Sequence, residues 1–277
     1  MRHRRLLLGI PVTAVTALTA AAVAIGAPGD NDTSYGSKGI AQLPTGNGGR
    51  SSAEASVLQG DKLVVVGQAR ADTGAGLRAE LAITRLNADG SRDATFGTNG
   101  ETLVAAGTGE SEALAVTVAP DGKIVAAGRA VDGPATKLAV VRLSANGIPD
   151  PTFGGAGLVL LNRGNAGVAA VEGVAAEADG RVVVASTVVD GGANKISLAR
   201  LSPGGVSEAW GGLTAAGSGA DTRAAGLVRL PGDLYGVVGR AEEGGDTKLL
   251  VARYAAATGA LTGGWGNKGN GVSLLAA

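Results

Sequence analysis

Short apolar runs bounded by glycine and aspartate recur along this chain at long, nearly regular intervals. "GDKLVVVG", "DGKIVAAG", "DGRVVVAS" and "GDLYGVVG" each join a two-residue turn to a run of small aliphatic residues, mostly Val. Consecutive apolar positions over so short a span, closed by turn residues, predict a strand buried on both faces. Downstream of each lies a second strand signal: "LAITRLNADG", "LAVVRLSANG", "ISLARLSPGG" and "LLVARYAAATG". Each closes on an Arg, a large apolar residue and a glycine turn. Further strands are predicted before each turn, at 53–58, 113–118, 171–176 and 224–230. A fourth set follows at 40–43, 102–104, 158–161 and 213–216. No helical period occurs outside the N-terminal segment.

Between the second and fourth strand signals stands a local pattern built on one aromatic. "DTSYGSKG", "DATFGTNG", "DPTFGGAG", "SEAWGGLT" and "TGGWGNKG" align on Tyr35, Phe96, Phe153, Trp210 and Trp265. The intervals are 61, 57, 57 and 55 residues, and these five are drawn from only seven aromatics in the chain. A Gly follows each ring, and three residues before it stand Asp32, Asp93, Asp150, Ser207 and Thr262. A short side-chain oxygen there can accept a hydrogen bond from the N–H two residues on, which closes a tight turn. The Gly permits positive φ, and the ring can plug the gap between adjacent layers. These five are therefore expected to be structural corners; a sugar-stacking platform is the alternative role.

The expected fold is all-β: a β-propeller-like array of four repeats of about 57 residues, each a four-stranded meander, since radial repetition buries sheet faces and shortens edges. Residues 1–27 read as an export signal and 28–277 as a single repeat domain. Its units are 35–95, 96–152, 153–209 and 210–264, with a closing segment 265–277. Corners occur five times and the other landmarks four, leaving a surplus strand at 40–43 or 272–275. That strand favours a closed four-bladed ring; an open arc pairing with a second chain is the alternative.

"RLNADGSRDATFGTNG" with "APDGKIVAAG" resembles the tandem delta-60 repeat of secreted bacterial proteins. The likeness spans nearly all of 30–277, is close in the first two units and decays towards the last. There Trp replaces Phe, and Tyr254 replaces Leu. The resemblance implies a propeller-like array outside the cytoplasm, and it implies no catalytic residues.

The N-terminus supports export. Arg2, Arg4 and Arg5 precede an uncharged run from 6 to 27, with small residues at Ala22, Ala24 and Ala27 that suit a signal peptidase. An uncleaved anchor is the competing interpretation. Cleavage would leave 21 basic against 24 acidic residues, which gives nucleic acid no electrostatic footprint. It would also remove His3, the only histidine, and the chain has no Cys. Without His or Cys, Ser-His-Asp triads, Cys-His pairs and ordinary zinc sites are out of reach.

What chemistry remains is sparse. Arg85, Arg142, Arg200 and Arg253 end equivalent strands and could form an anion-binding ring around a channel. Equally, each could tie down turn carbonyls or a carboxylate such as Asp93 or Asp150. Asn87, Asp89, Ser91 and Asp93 alternate as in a calcium loop but lack its Gly placement and closing Glu, so a hairpin turn is expected, with calcium as the alternative and no other cofactor. The function expected is a non-enzymatic scaffold, secreted or held in the envelope, that presents residues 68–78, 130–136, 189–194 and 240–246 to an extracellular protein or glycan. It would be a monomer or dimer, with no membrane contact after cleavage. A carboxylate-dependent polysaccharide hydrolase or lyase is the second hypothesis.

Overall fold

A computed structural model describes residues 31–276 apart from 43, 44, 47–49, 73, 75 and 220. The expected export signal, 1–27, lies outside the described residues. Sixteen strands and no helix are found among them, in four antiparallel sheets. The first sheet holds β1 (Ser51–Gln59), β2 (Lys62–Asp72), β3 (Leu77–Leu86) and β4 (Glu101–Val104). In the second are β5 (Ser111–Val118), β6 (Ile124–Asp132), β7 (Ala135–Leu143) and β8 (Leu158–Leu161). The third comprises β9 (Val168–Ala176), β10 (Val182–Asp190), β11 (Ala193–Leu201) and β12 (Leu213–Thr214). The fourth comprises β13 (Thr222–Leu230), β14 (Leu234–Glu243), β15 (Asp246–Ala255) and β16 (Val272–Leu275). Each sheet is an up-and-down meander in chain order. Its last strand lies beyond the aromatic corner, so the corner is an insert within a sheet and not a border between sheets.

The first strand of each sheet lies against the next sheet's first strand, which makes β1, β5, β9 and β13 the inner edge of the array. Successive side chains of a strand point to opposite faces, and the cores follow that alternation. Val64, Val66, Leu81 and Ile83 of the first sheet pack on Ile124, Ala126, Val141 and Leu143 of the second. The second sheet's other face, Val125, Ala127, Leu138 and Val140, meets Val182, Val184, Ala199 and Leu201. Val183, Ala185, Ile196 and Leu198 then meet Tyr235, Val237, Leu250 and Ala252 of the fourth sheet. The two middle sheets are thus buried on both sides. This explains the unbroken apolar runs of β6 and β10, while β14 carries exposed residues on its uncovered side.

All four inner strands carry a one-residue bulge at the same point, between Ala53 and Ala55, Ala113 and Ala115, Val171 and Gly173, and Ala224 and Gly226. Opposite three of these bulges stand Gly67, Gly128 and Gly239. A Cβ on any of them would collide with the carbonyl of Ser52, Glu112 or Arg223. The bulge bends the inner strand onto its neighbour, and glycine leaves room for that approach.

Ring closure does not occur. Each sheet packs on its chain neighbours, and no apolar core joins the first sheet to the fourth among the described residues. The closed four-bladed ring suggested by the landmark count is therefore replaced by the open arc. Its physical reason is that no surplus strand is found among the described residues. Residues 272–275 form β16 and complete the fourth sheet from within its own unit. Ile40 makes only isolated bridges with Gly36 and Ser37, and Leu43 lies outside the described residues.

Candidate binding surface

The five corners come first, because they claim most of the residues singled out in the sequence. Phe96 and Phe153 are fully buried and Trp210 nearly so. Each ring belongs to one sheet and is driven under the β-hairpin of the next. A Cβ on Gly147 would come within 2.7 Å of Phe96, and one on Gly259 within 2.8 Å of Trp210. Phe153 meets Gly205, and Tyr35 meets Gly90, in the same way. The N–H following each ring donates to a carbonyl of that hairpin: Gly36 to Asp89, Gly97 to Asn146, Gly154 to Gly204 and Gly211 to Thr258. These glycines all have φ between 51° and 69°, in the left-handed region where a side chain is strained.

The arginines complete the same joints. The Arg85, Arg142, Arg200 and Arg253 guanidinium groups lie 4.8, 4.5, 4.7 and 4.9 Å from the centres of the Phe96, Phe153, Trp210 and Trp265 rings. Arg85 Nε donates to Asp93 at 2.7 Å and Arg142 Nε to Asp150 at 2.9 Å. Arg85 and Arg200 each reach a carbonyl of the following sheet, Ala145 and Ala256. An anion ring would need these guanidinium groups to converge, whereas each is committed to its own corner.

Two neighbours were not legible in the sequence. Lys62 Nζ lies 2.6 Å from Asp93 and Lys123 Nζ 3.3 Å from Asp150. In the third unit Arg200 pairs at 2.6 Å with Glu208, not with Ser207. The backbone shows why: Asp93, Asp150 and Thr262 donate their N–H to the carbonyl of the strand Arg, and in this unit Glu208 does so. That corner is one residue shorter, and the longer Glu side chain spans the difference. Lys62, Thr95 and Arg85 together hold the Asp93 carboxyl far below the usual carboxylate range.

In "NADGSRD", Asp89 accepts from the N–H and hydroxyl of Ser91, while Asp93 turns inward to Arg85 and Lys62. The segment is a β-hairpin turn, closed by Asn87 and Ser91. Three of the four stretches expected to be variable loops are strand ends joined by tight turns, at 133–134, 191–192 and 244–245. They are also clamped. The N–H groups of Thr108 and Gly109 donate to the Val131 carbonyl, Ala166 to Val189, and Ser218 and Gly219 to Glu242. At this end of the array the three hairpins are hydrogen-bonded to the connections beside them.

At the same end, between the first two sheets, lies a polar cleft of about 370 Å³. Gln68 comes from β2, Ser111 and Glu112 from β5, Arg129 from β6, Thr136 from β7, and Glu110 from the connection before β5. Arg129 Nε holds Glu112 at 2.6 Å, and Arg70 holds Glu110 at 3.2 Å. Ser111 is only 3% exposed, and its hydroxyl has no hydrogen-bond partner. A buried hydroxyl without a partner costs about 1–3 kcal/mol. Neither carboxylate stands free as a paired acid and base would require, because each is neutralised by an arginine.

A further acid, Glu172, sits at the bulge of β9. Thr187 donates to its Oε1 at 2.7 Å and accepts from the Ala224 N–H, linking the third and fourth sheets. Its Oε2 is buried without a partner, and burial pushes its pKa up to about 7. Because the folded value lies above the ordinary 4.5, the folded state binds the extra proton. Stability is therefore greatest below that ordinary value, declines as pH rises through about 7, and is constant beyond. Glu172→Gln is expected to raise stability by about 2–3 kcal/mol at roughly pH 8 and to leave it unchanged in acid. Urea denaturation at both pH values checks this.

Residues 59–96, 119–153 and 177–206 match the model of a family described as a domain of unknown function (DUF5122) beta-propeller. The first two stretches run from the turn before the second strand, through the Arg strand, to the corner aromatic. The third stops four residues short of Trp210, in the unit whose corner is shortened. The chain is similar to that family over these units, and its four radially stacked meanders are propeller-like. No curated protein matches the chain.

Proposed function

We propose that the protein is an exported, non-enzymatic scaffold whose hairpin end binds an extracellular protein or glycan. The observation that carries this is the polar cleft lined by Gln68, Ser111, Glu112, Arg129 and Thr136. Amide, hydroxyl, carboxylate and guanidinium groups held at one place suit a ligand dense in hydroxyls or peptide groups. Export is supported by the basic N-terminus and its apolar run. Likeness of the repeat to the delta-60 repeats of secreted proteins points the same way.

The test uses saturation-transfer NMR on the whole chain with chito-, cello- and manno-oligosaccharides and a set of unstructured peptides. At least one class is expected to bind, and Arg129→Ala or Ser111→Val to weaken it about tenfold or more, which is about 1.4 kcal/mol. Ligands that bind both variants as they bind the parent would place recognition elsewhere. Shortened oligosaccharides after incubation would instead favour the carboxylate hydrolase.

A further inference from the structure

The three internal joints share one construction, and among the described residues one further copy of each half faces no other sheet of the same chain. The forward half of a joint consists of alternate residues on the second and third strands, plus the corner ring. In the first sheet these are Val64, Val66, Leu81, Ile83 and Phe96, all buried against the second. By strand register the fourth sheet's counterparts are Gly236, Val238, Leu249, Val251 and Trp265. There Val238 is 44% and Leu249 50% exposed, as is Leu275 beside them at 47%. Trp265 is half-buried under Arg253 but meets no hairpin glycine. Among the described residues the Gly266 N–H, φ 81°, makes none of the hairpin carbonyl contacts that its four counterparts make.

The backward half is at the other end of the arc. Ile124, Ala126 and Leu143 of the second sheet are buried in its joint with the first. Their counterparts in the first sheet, Leu63, Val65 and Leu86, line an apolar groove of about 290 Å³. The segment around Tyr35 and Ala41 covers that groove. This segment reproduces a corner without a sheet behind it: Tyr35 fills the Gly90 socket, and Gly36 donates to Asp89 at 2.7 Å.

We propose that the occupant of the exposed fourth-sheet face is the first sheet of a second copy of this chain, joined head to tail. Trp265 takes the Gly90 socket from Tyr35, and the Gly266 N–H takes the Asp89 carbonyl. The internal joints show that these two faces fit, because the same halves meet three times within the chain. Among the described residues no apolar core joins sheets one and four of the same chain, so the contact is between copies. The N-terminal corner is a competitive cap: it holds the socket with the Tyr35 ring and the Gly36–Asp89 hydrogen bond and has no sheet behind it, whereas the incoming copy adds Val238, Leu249, Val251 and Leu275. A contact of two different faces closes into a ring if the rotation allows and otherwise grows as a linear series.

Sedimentation velocity on the full chain over a concentration series tests this. Association is expected, with Tyr35→Ala strengthening it about tenfold and Trp265→Ala weakening it by at least as much, as for an interface hot spot. Leu249→Lys, on a half-exposed site, repeats the second result without touching the corner; circular dichroism verifies that each variant folds. Trp210 is buried, so a concentration-dependent blue shift of tryptophan emission reports Trp265. A strict monomer for both the parent and Tyr35→Ala overturns the proposal. So does association that neither Trp265→Ala nor Leu249→Lys weakens.

Discussion

Phe153→Ala is expected to destabilise the protein by about 3–5 kcal/mol, as is usual for a buried Phe truncated in a core. The ring is fully buried in the joint between the second and third sheets. Arg142 caps one side at 4.5 Å, and the third sheet's hairpin glycine, Gly205, closes another at 3.2 Å from a built Cβ. Truncation empties a space bounded by the Arg142 guanidinium, the Gly205 hairpin and the apolar side chains of the joint, and leaves a cavity there. It also strips the guanidinium of its aromatic face, a contact worth about 0.5–2 kcal/mol. Stability in an array is a sum of unit and nearest-neighbour terms. Denaturant unfolding should therefore become biphasic as the first pair of sheets uncouples from the second. Trp265→Ala is the control at the same repeat position. Its ring is half-exposed and faces no hairpin among the described residues, so the loss should be confined to its contact with Arg253, about 0.5–2 kcal/mol. Equal losses at the two positions would mean that the corner rings do not hold the joints.

Asp93→Ala should cost a similar amount, about 3–5 kcal/mol, because it leaves a buried cation without its partner. The side chains of Arg85 and Asp93 are 7% and 4% exposed and 2.7 Å apart. Lys62 joins from the hairpin and Thr95 donates to the other oxygen. The folded carboxyl titrates well below its ordinary value of 3.8. Its contribution is therefore complete above that value and is lost as pH falls towards the folded pKa. The gap between parent and Asp93→Ala, followed by urea titration at successive pH values, should narrow only in acid below the ordinary carboxylate range. Lys62→Ala is the milder comparison. That amine is one-third exposed, and solvent screening limits such a pair to about 1 kcal/mol.

Much of this architecture is visible in one dimension because each unit repeats the same demands. Turn dipeptides mark β2, β6, β10 and β14; burial on both faces, expected of all four apolar runs, holds for β6 and β10 but not for β14, where Val238 is exposed. The corner rings stand out because the chain has so few other aromatics. The roles of Arg85 and Arg142 were legible only in part, since strand spacing places them beside Asp93 and Asp150 but cannot aim a guanidinium at a ring. Alignment on the aromatics misassigned the third unit, where one residue is missing and Glu208 reaches where Ser207 was expected to act. The stretches 130–136, 189–194 and 240–246 looked like loops because they are polar and rich in Gly. Polarity there reflects exposed hairpin ends, and glycine serves positive-φ turns at 133, 191, 192, 244 and 245. The cleft gave no signal, since Gln68, Ser111 and Arg129 come from different strands of two sheets.

The sequence by itself determined the meander, its fourfold repetition and the rings at its bends, because these follow from local spacing of apolar, glycine and aspartate positions. Only the tertiary structure decided that the array stays open, that the fourth strand completes its own sheet, and which arginine holds which acid. Those outcomes depend on how sheets rotate against each other and how far a side chain reaches across a joint. Residues far apart along the chain meet there, and no local pattern encodes their distance.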